Sequence, residues 1–283
     1  MRCPQCSHIG LKESGDEVQC ASCSQPIARM KKHKGLDLLE QASRDSLEKD
    51  LDDWRENQDL PKVKFKYINA LKSPTLNNYS LEKKQLRELV STLPADARIL
   101  EVGGALTREV HERALSVDLL DASTTDIRGD ILSLPFEDNV ADLVVANRIL
   151  EHVKEPVEAC KELARVVKPG GKVYTIVPFM TPYHRLPLDQ FRFSLDSLPR
   201  LFPDFETVKL EPFEGPVRAM LWMKKEFFAQ AIPGTGLWRT AYLALREAFG
   251  WLSYPAVLLD PWLKRHKEAH KISLTLLYVG QKR

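Results

Sequence analysis

Between Ala97 and Pro178 one pattern repeats five times: ARILEVGG, LSVDLLD, IRGDILSLPFEDN, ADLVVANRILEHV and ELARVVKPGGKVYTIVP. Each piece holds a short apolar strand that ends in a polar residue or glycine and gives way to a helix or loop. Strands and helices alternating in this way build an open α/β sheet. In such a sheet, ligands bind at the carboxyl ends of the strands. The residues at those ends are therefore the ones to examine first.

Arg98 to Val102 is the first strand, with Glu101 near its end and Gly103 and Gly104 directly after it. Glycine after a strand lets the backbone turn sharply and approach a ligand closely. The second strand, Ala114 to Leu119, delivers Asp118, a carboxylate placed to accept hydrogen bonds from both hydroxyls of a ribose. The third piece, GDILSLPF, delivers Asp130, placed to accept from an adenine amino group. The fourth strand, Ala141 to Ala146, ends at Asn147 and Arg148. Helical periodicity over Ile149 to Val166 predicts a helix that Lys168-Pro169-Gly170-Gly171 stops, and Lys172 to Val177 is then a fifth buried strand. Together the strand ends suit a nucleoside cofactor. A dinucleotide site would want G-x-G-x-x-G for its pyrophosphate, and this chain has no such loop.

This order, with GDILSLPFEDNVADLVV, RILEHV and LARVVKPGGKVY, resembles the class I S-adenosylmethionine-dependent methyltransferases, and within them the type 11-like group. The resemblance covers roughly residues 95 to 215 and the final strand. It implies an α/β, Rossmann-like sheet whose last strand runs antiparallel, and Ile272 to Gln281 fits that strand. It also implies S-adenosyl-L-methionine as cofactor. Glu101, Gly103, Gly104 and Asp118 would hold its amino-acid and ribose parts. Asp130 and the Ile131 backbone would hold adenine, with Asn147 beside them. The family's glycine loop is E/D-x-G-x-G-x-G, whereas here it reads Glu101-Val102-Gly103-Gly104-Ala105-Leu106-Thr107. Ala105 and Thr107 bring a Cβ to positions where glycines are expected.

Four of the five cysteines lie in the first two dozen residues, as Cys3-x-x-Cys6 and Cys20-x-x-Cys23. Two such knuckles a hairpin apart can place four thiolates around Zn2+. A segment this short cannot build its own core, so the metal would hold it together. Residues 1–30 therefore read as a zinc ribbon with a structural ion, and they resemble the small zinc-ribbon activators that pair with methyltransferases. The fifth cysteine, Cys160, falls in a predicted helix as an inert core thiol.

Residues 31–79 are a charged helical linker, in which Leu36, Leu39, Leu47, Leu51 and Trp54 form a partial helical stripe that Pro61 ends. Lys62 to Tyr67 alternates basic and apolar residues as an edge strand would. Residues 80–283 are the methyltransferase domain that the resemblance implies. It opens with an amphipathic helix over Ser80 to Leu93, Ser80 being the candidate N-cap.

Methyl transfer from a sulfonium is an in-line displacement. It needs an aligned acceptor and, for many acceptors, a base. Asn147, Arg148 and His152 follow the fourth strand, beside the methyl group in this fold. The loop after the fifth strand carries H-x-x-P-x-D-x-x-R-F-S. There His184 is the candidate general base, Asp189 its orienting carboxylate and Arg192 an anchor for an anionic substrate. The alternative is that Asp189 and Arg192 form a salt bridge that fixes the loop.

Residues 215–266 form an apolar helical insertion holding four of the five tryptophans, Trp222, Trp238, Trp251 and Trp262, with a break at Pro233 to Gly236. It reads as a lid over the substrate, as a membrane-surface contact, or as a contact between two copies in a homodimer.

The formal net charge of only +2 argues against a nucleic-acid partner, and neither a signal-peptide pattern nor a bilayer-length apolar run is present. The chain reads as cytoplasmic, or as peripheral to a membrane if the insertion lies on one. The function expected is S-adenosylmethionine-dependent methyl transfer to a small-molecule or glycan acceptor. One alternative is a tRNA or protein methyltransferase. Another is a non-catalytic methyltransferase-fold scaffold whose altered glycine loop excludes the cofactor and whose zinc ribbon binds a partner.

Overall fold

The computed structural model describes residues 11–14, 17–23, 26–30, 36–37, 49, 78–103, 114–120, 125–184, 188–232 and 238–283. The central strands are β5 (Ile99–Val102), β6 (Ala114–Asp118), β7 (Ile127–Arg128), β8 (Ala141–Val145) and β9 (Val167–Pro178), followed by β10 (Phe205–Glu214) and β11 (Thr275–Lys282). Before them come β1 (Leu11–Ser14), β2 (Glu17–Cys20), β3 (Pro26–Met30) and the two-residue β4 (Leu36–Asp37). The order across the sheet is β1-β2-β3-β4-β7-β6-β5-β8-β9-β11-β10. The strands β7, β6, β5, β8 and β9 run parallel. The last strand, β11, inserts antiparallel between β9 and β10, pairing Leu277 with Ile176 and Glu211. The sheet is therefore the Rossmann-like α/β sheet expected, antiparallel insertion included.

Side chains alternate between the two faces of the sheet, as the period of a strand requires. On one face Leu100, Val102, Val144, Val173, Val177, Leu276 and Tyr278 pack against Ala159, Cys160, Leu163 and Val166. Those four belong to the helix Pro156–Val166. On the other face Ile99, Leu143, Val145, Tyr174, Ile176 and Leu277 pack against Leu86 and Val90 of α1 (Tyr79–Ser91). Helices on both faces leave only the strand ends open, and the parallel strands all end on the same edge.

Several boundaries differ from the sequence reading, each for a local reason. The single helix expected from Ile149 breaks into a 3-10 turn, Leu150–His152, and α2 (Pro156–Val166). Pro156 has no N–H to give to a preceding helical turn and sits instead at the first position of a new helix. Lys168-Pro169-Gly170-Gly171 form an irregularity inside β9, where the register slips between the Ala141–Val167 and Leu143–Lys172 pairs. The N-cap of α1 is Asn78, whose Oδ1 accepts from the Leu81 amide at 3.2 Å, rather than Ser80.

At the N-terminus, β1 to β3 form an antiparallel meander, and β4 joins it to the sheet by pairing parallel with β7. Leu36, expected in a helical stripe, lies in β4. Cys20 ends β2 and Cys23 closes the following turn. Cys3 and Cys6, Leu39 to Leu47, Leu51 to Tyr67 and the Pro233 to Gly236 break lie outside the described residues.

After α3 (Leu198–Leu201) come α4 (Pro216–Ala229) and α5 (Arg239–Ser253), then a 3-10 segment Tyr254–Leu259 and α6 (Asp260–Leu263). Asp260 folds the end of the insertion back onto its beginning. Its carboxylate accepts from the Gly215 and Val217 amides at 3.0 and 2.9 Å and meets Arg218 at 3.2 Å. It thereby takes up amides at the N-terminus of α4 that have no partner within the helix. A Cβ on Gly215 would come within 2.6 Å of Asp260 Oδ1, so a side chain there would displace the cap. Phe228 stacks on Phe249 at 4.5 Å, and Lys225, Arg246, Glu226 and Glu247 tie α4 to α5. Trp238, Trp251 and Trp262 stay exposed at 60%, 52% and 71%. Among the described residues, no helix is long and apolar enough to cross a membrane.

Candidate active site

The parallel registers bring the candidate cofactor residues to one edge of the sheet. Glu101 of β5 pairs with Ser116 of β6 and Val145 of β8, and Asp118 pairs with Arg128 of β7. Glu101 and Asp118 are buried. Asp118 Oδ1 accepts from the Leu120 amide at 2.7 Å, which holds the carboxylate at the strand end. Two residues past β7, Asp130 Oδ1 accepts from the Leu132 amide at 2.9 Å and shapes the turn containing Ile131.

Gly103 turns the chain at the end of β5. Its φ is +84°, in the left-handed region where a side chain is strained, and its amide donates to the Val117 carbonyl at 2.9 Å. A Cβ there would lie 2.6 Å from Ile149 Cγ1. The glycine is thus required by both its backbone and its neighbour. Gly104, Ala105 and Thr107 lie outside the described residues.

Asn147 is held differently from the cofactor contact expected for it. Its Nδ2 donates to Glu82 at 2.7 Å and its Oδ1 accepts from the Ile176 amide at 3.0 Å. Arg148, at φ +50°, extends the same clamp: its guanidinium bonds Glu82, reaches Glu214 at 3.3 Å and lies 5.3 Å from the Tyr79 ring centroid. Glu214 also accepts from the Asn78 amide and from the Thr275 hydroxyl, the latter at 2.9 Å. Burial pushes the Glu214 carboxyl up, and the neighbouring Arg148 opposes that shift. This clamp fastens α1 and β10 over the end of β8. Sequence reading missed Glu82 and Glu214 as its members, because they reach Arg148 from 66 residues away in either direction.

A second cluster sits on the same edge. Glu151 and His152 follow β8, and His184 follows β9. The two imidazoles meet edge to face with centroids 5.5 Å apart. Glu151 Oε1 lies 3.8 Å from His152 Nε2 and 3.7 Å from His184 Nε2. Asp189 stands behind His184, accepting from its amide at 2.8 Å with Oδ2 3.4 Å from Nδ1. Burial disfavours the charged form of His184, but Glu151, the Pro182 carbonyl and Asp189 outweigh it and raise His184 above the ordinary histidine range.

Asp189 and Arg192 form the loop-fixing salt bridge that was the alternative to an anion anchor. Arg192 bonds both Asp189 oxygens, Oδ2 at 2.7 Å, and also the carbonyls of Thr181, Phe191 and Pro182. Burial works against the Asp189 charge, yet Arg192 and the His184 amide hold its carboxyl below the usual range. Glu151 was not singled out in the sequence. Its signal was its place in RILEHV, next to a histidine just past a strand end.

Residues 95–175 match the family model described as a methyltransferase domain. A demethylmenaquinone methyltransferase of Staphylococcus haemolyticus is 30% identical over 149 residues, covering 50% of this chain and 56% of that protein. One of Geobacillus is 35% identical over 107 residues, 37% of this chain and 42% of that protein. The chain thus spans about half the length of the curated relatives it matches. Among solved structures, a putative sarcosine dimethylglycine methyltransferase from Galdieria sulphuraria aligns with a TM-score of 0.45 at 16% identity, over 71% of this chain and 85% of that one.

Proposed function

We propose that this chain binds S-adenosyl-L-methionine across the ends of β5 to β8 and transfers its methyl group to a small-molecule or glycan acceptor. One observation carries the reading. The strand registers set Glu101, Gly103, Asp118 and Asp130 along a single edge, within a segment matching a methyltransferase domain. Asp118 accepts from the ribose hydroxyls, and the Asp130 turn with the Ile131 backbone receives adenine. Gly103 lets the main chain approach the methionine end. The protein's part in the reaction is alignment and exclusion of water. His184, held by Asp189 and made more basic by its surroundings, takes the acceptor proton.

The relatives named for demethylmenaquinone make a quinone of that kind, with its reduced form, the first acceptor to try, with glycans second. The exposed aromatics of α5 and α6 suit a lid or a membrane-surface contact for such an apolar substrate, and a contact between two copies is the third option. The four N-terminal cysteines hold a structural zinc ion in this proposal. The test is transfer of labelled methyl from the cofactor to panels of hydroquinones, glycans, tRNA and protein. Label in a small molecule or glycan, reduced at least tenfold by His184→Ala, supports the reading. Label only in tRNA or protein contradicts the acceptor, and no transfer despite cofactor binding contradicts the enzyme.

A further inference from the structure

Glu151 is 1% exposed, and among the described residues neither of its carboxylate oxygens has a hydrogen-bond partner. A buried carboxylate left in that state is costly unless a cation meets it. What faces it is a pair of imidazole nitrogens. His152 Nδ1 lies against the Leu188 carbonyl, and His184 Nδ1 is 3.0 Å from the Pro182 carbonyl. A carbonyl can only accept, so each Nδ1 donates outward and each Nε2 is left facing Glu151. Both Nε2 atoms lie near the same carboxylate oxygen, at 3.8 and 3.7 Å. Three groups able to ligate a metal therefore converge.

That arrangement is how proteins prepare histidines for a metal: the outer nitrogen is pinned to a carbonyl and the inner one is left to coordinate. One ligand atom from each of Glu151, His152 and His184 lies within 4.8 Å of the others. Ligands bound at about 2.0–2.2 Å stand roughly 3.0–3.6 Å apart. The two Glu151–histidine separations of 3.7 and 3.8 Å need to close by only a few tenths of an ångström. Two imidazoles and one carboxylate suit a divalent first-row transition metal and leave coordination positions open.

We infer that Glu151, His152 and His184 form a site for a divalent transition-metal ion, distinct from the N-terminal cysteines. The Asp189–Arg192 pair holds the His184 ring from behind. In its use, though not in its existence, the inference rests on the methyl-transfer reading. An ion with open positions would take an acceptor oxygen, lower its pKa and aim it. His184 would then serve as a ligand in place of the base role proposed above, and the acceptor's proton, made more acidic by the ion, would leave to water.

The experiment is a zinc count on the full chain. Purified protein is loaded with zinc sulfate, freed of excess by gel filtration, and measured by mass spectrometry of the metal. The four N-terminal cysteines stay in every variant, so what they bind cancels in the comparison. Wild type should carry one zinc more than His184→Ala and one more than His152→Ala, while Lys161→Ala matches wild type. Zinc should also raise the melting temperature of wild type more than that of either histidine variant. Glu151→Gln should lose the same ion; if it fails to fold, the half-buried His184→Ala carries the comparison. Equal zinc in wild type and folded His184→Ala overturns the inference and leaves a proton as the cation that Glu151 meets. Cofactor titration, run with and without zinc, reads the methyltransferase proposal separately.

Discussion

Arg148 reaches Glu214 at 3.3 Å across the end of β8, joining the strand that carries the candidate site to the strand from which the helical insertion departs. Glu214 is fully buried and Glu82, the other carboxylate on Arg148, is partly buried. Removing one partner of a buried pair leaves an uncompensated charge, at a cost of about 3–5 kcal/mol. Arg148→Ala should lose stability in that range in urea unfolding. Replacing Arg148 with Met and Glu214 with Leu together should recover much of it. A loss below about 1 kcal/mol for Arg148→Ala would mean that packing and the Asn147 and Asn78 hydrogen bonds hold α1 and β10 without it.

Gly103→Ala should destabilise the chain by more than the roughly 1–2 kcal/mol of a left-handed non-glycine residue, because the new Cβ also meets Ile149. Adding Ile149→Ala to Gly103→Ala should remove the clash and leave only the backbone cost. Thermal unfolding of the double variant checks this. If Ile149→Ala gives no relief, the crowding at the end of β5 is not what the geometry says.

Asp142 ties three strands together: it accepts from the Arg98 amide at 2.8 Å and from Lys168 at 2.8 Å. Burial opposes its ionisation, but Lys168 and the Arg98 amide hold the carboxyl below its ordinary value. A lowered folded value means stability that is present above the unfolded pKa of about 3.9 and lost as pH falls through the folded one. The melting-temperature gap between wild type and Asp142→Asn should be constant near neutrality and close below about pH 4. A gap unchanged at low pH would contradict the linkage. The stability difference behind that gap should be about 1 kcal/mol near neutrality, because both side chains are partly solvated.

Cys160 is buried against the sheet, and burial pushes its thiol up to about 12. It should resist a thiol reagent in the native state and react only on unfolding. Rapid labelling of Cys160 in folded protein, read by peptide mass, would contradict its placement.

The sheet was legible because its signals are local. Apolar runs such as Ala141 to Val145 and Thr275 to Val279, and glycine or carboxylate at their ends, follow from strand period and turn chemistry alone. Local signals also misled where one residue overrides a pattern. Pro156 cuts the helical stripe begun at Ile149, and Asn78 outcompetes Ser80 as the cap. The side-chain partnerships were not legible. Asn147 is engaged by Glu82, and Arg148 is met by Glu214, through contacts that exist only after the sheet has formed. The same holds for Glu151, whose two histidines lie one and 33 positions away along the chain and meet it only where β8 and β9 end side by side.

The account stands on a cofactor site at the ends of β5 to β8. Calorimetric titration of the zinc-loaded chain with S-adenosylmethionine and S-adenosylhomocysteine tests it most directly. Micromolar binding at one site, lost in folded Asp118→Ala, is the predicted result. No binding by the folded wild-type chain, or binding unchanged in Asp118→Ala, would contradict it and leave the methyltransferase fold as a scaffold.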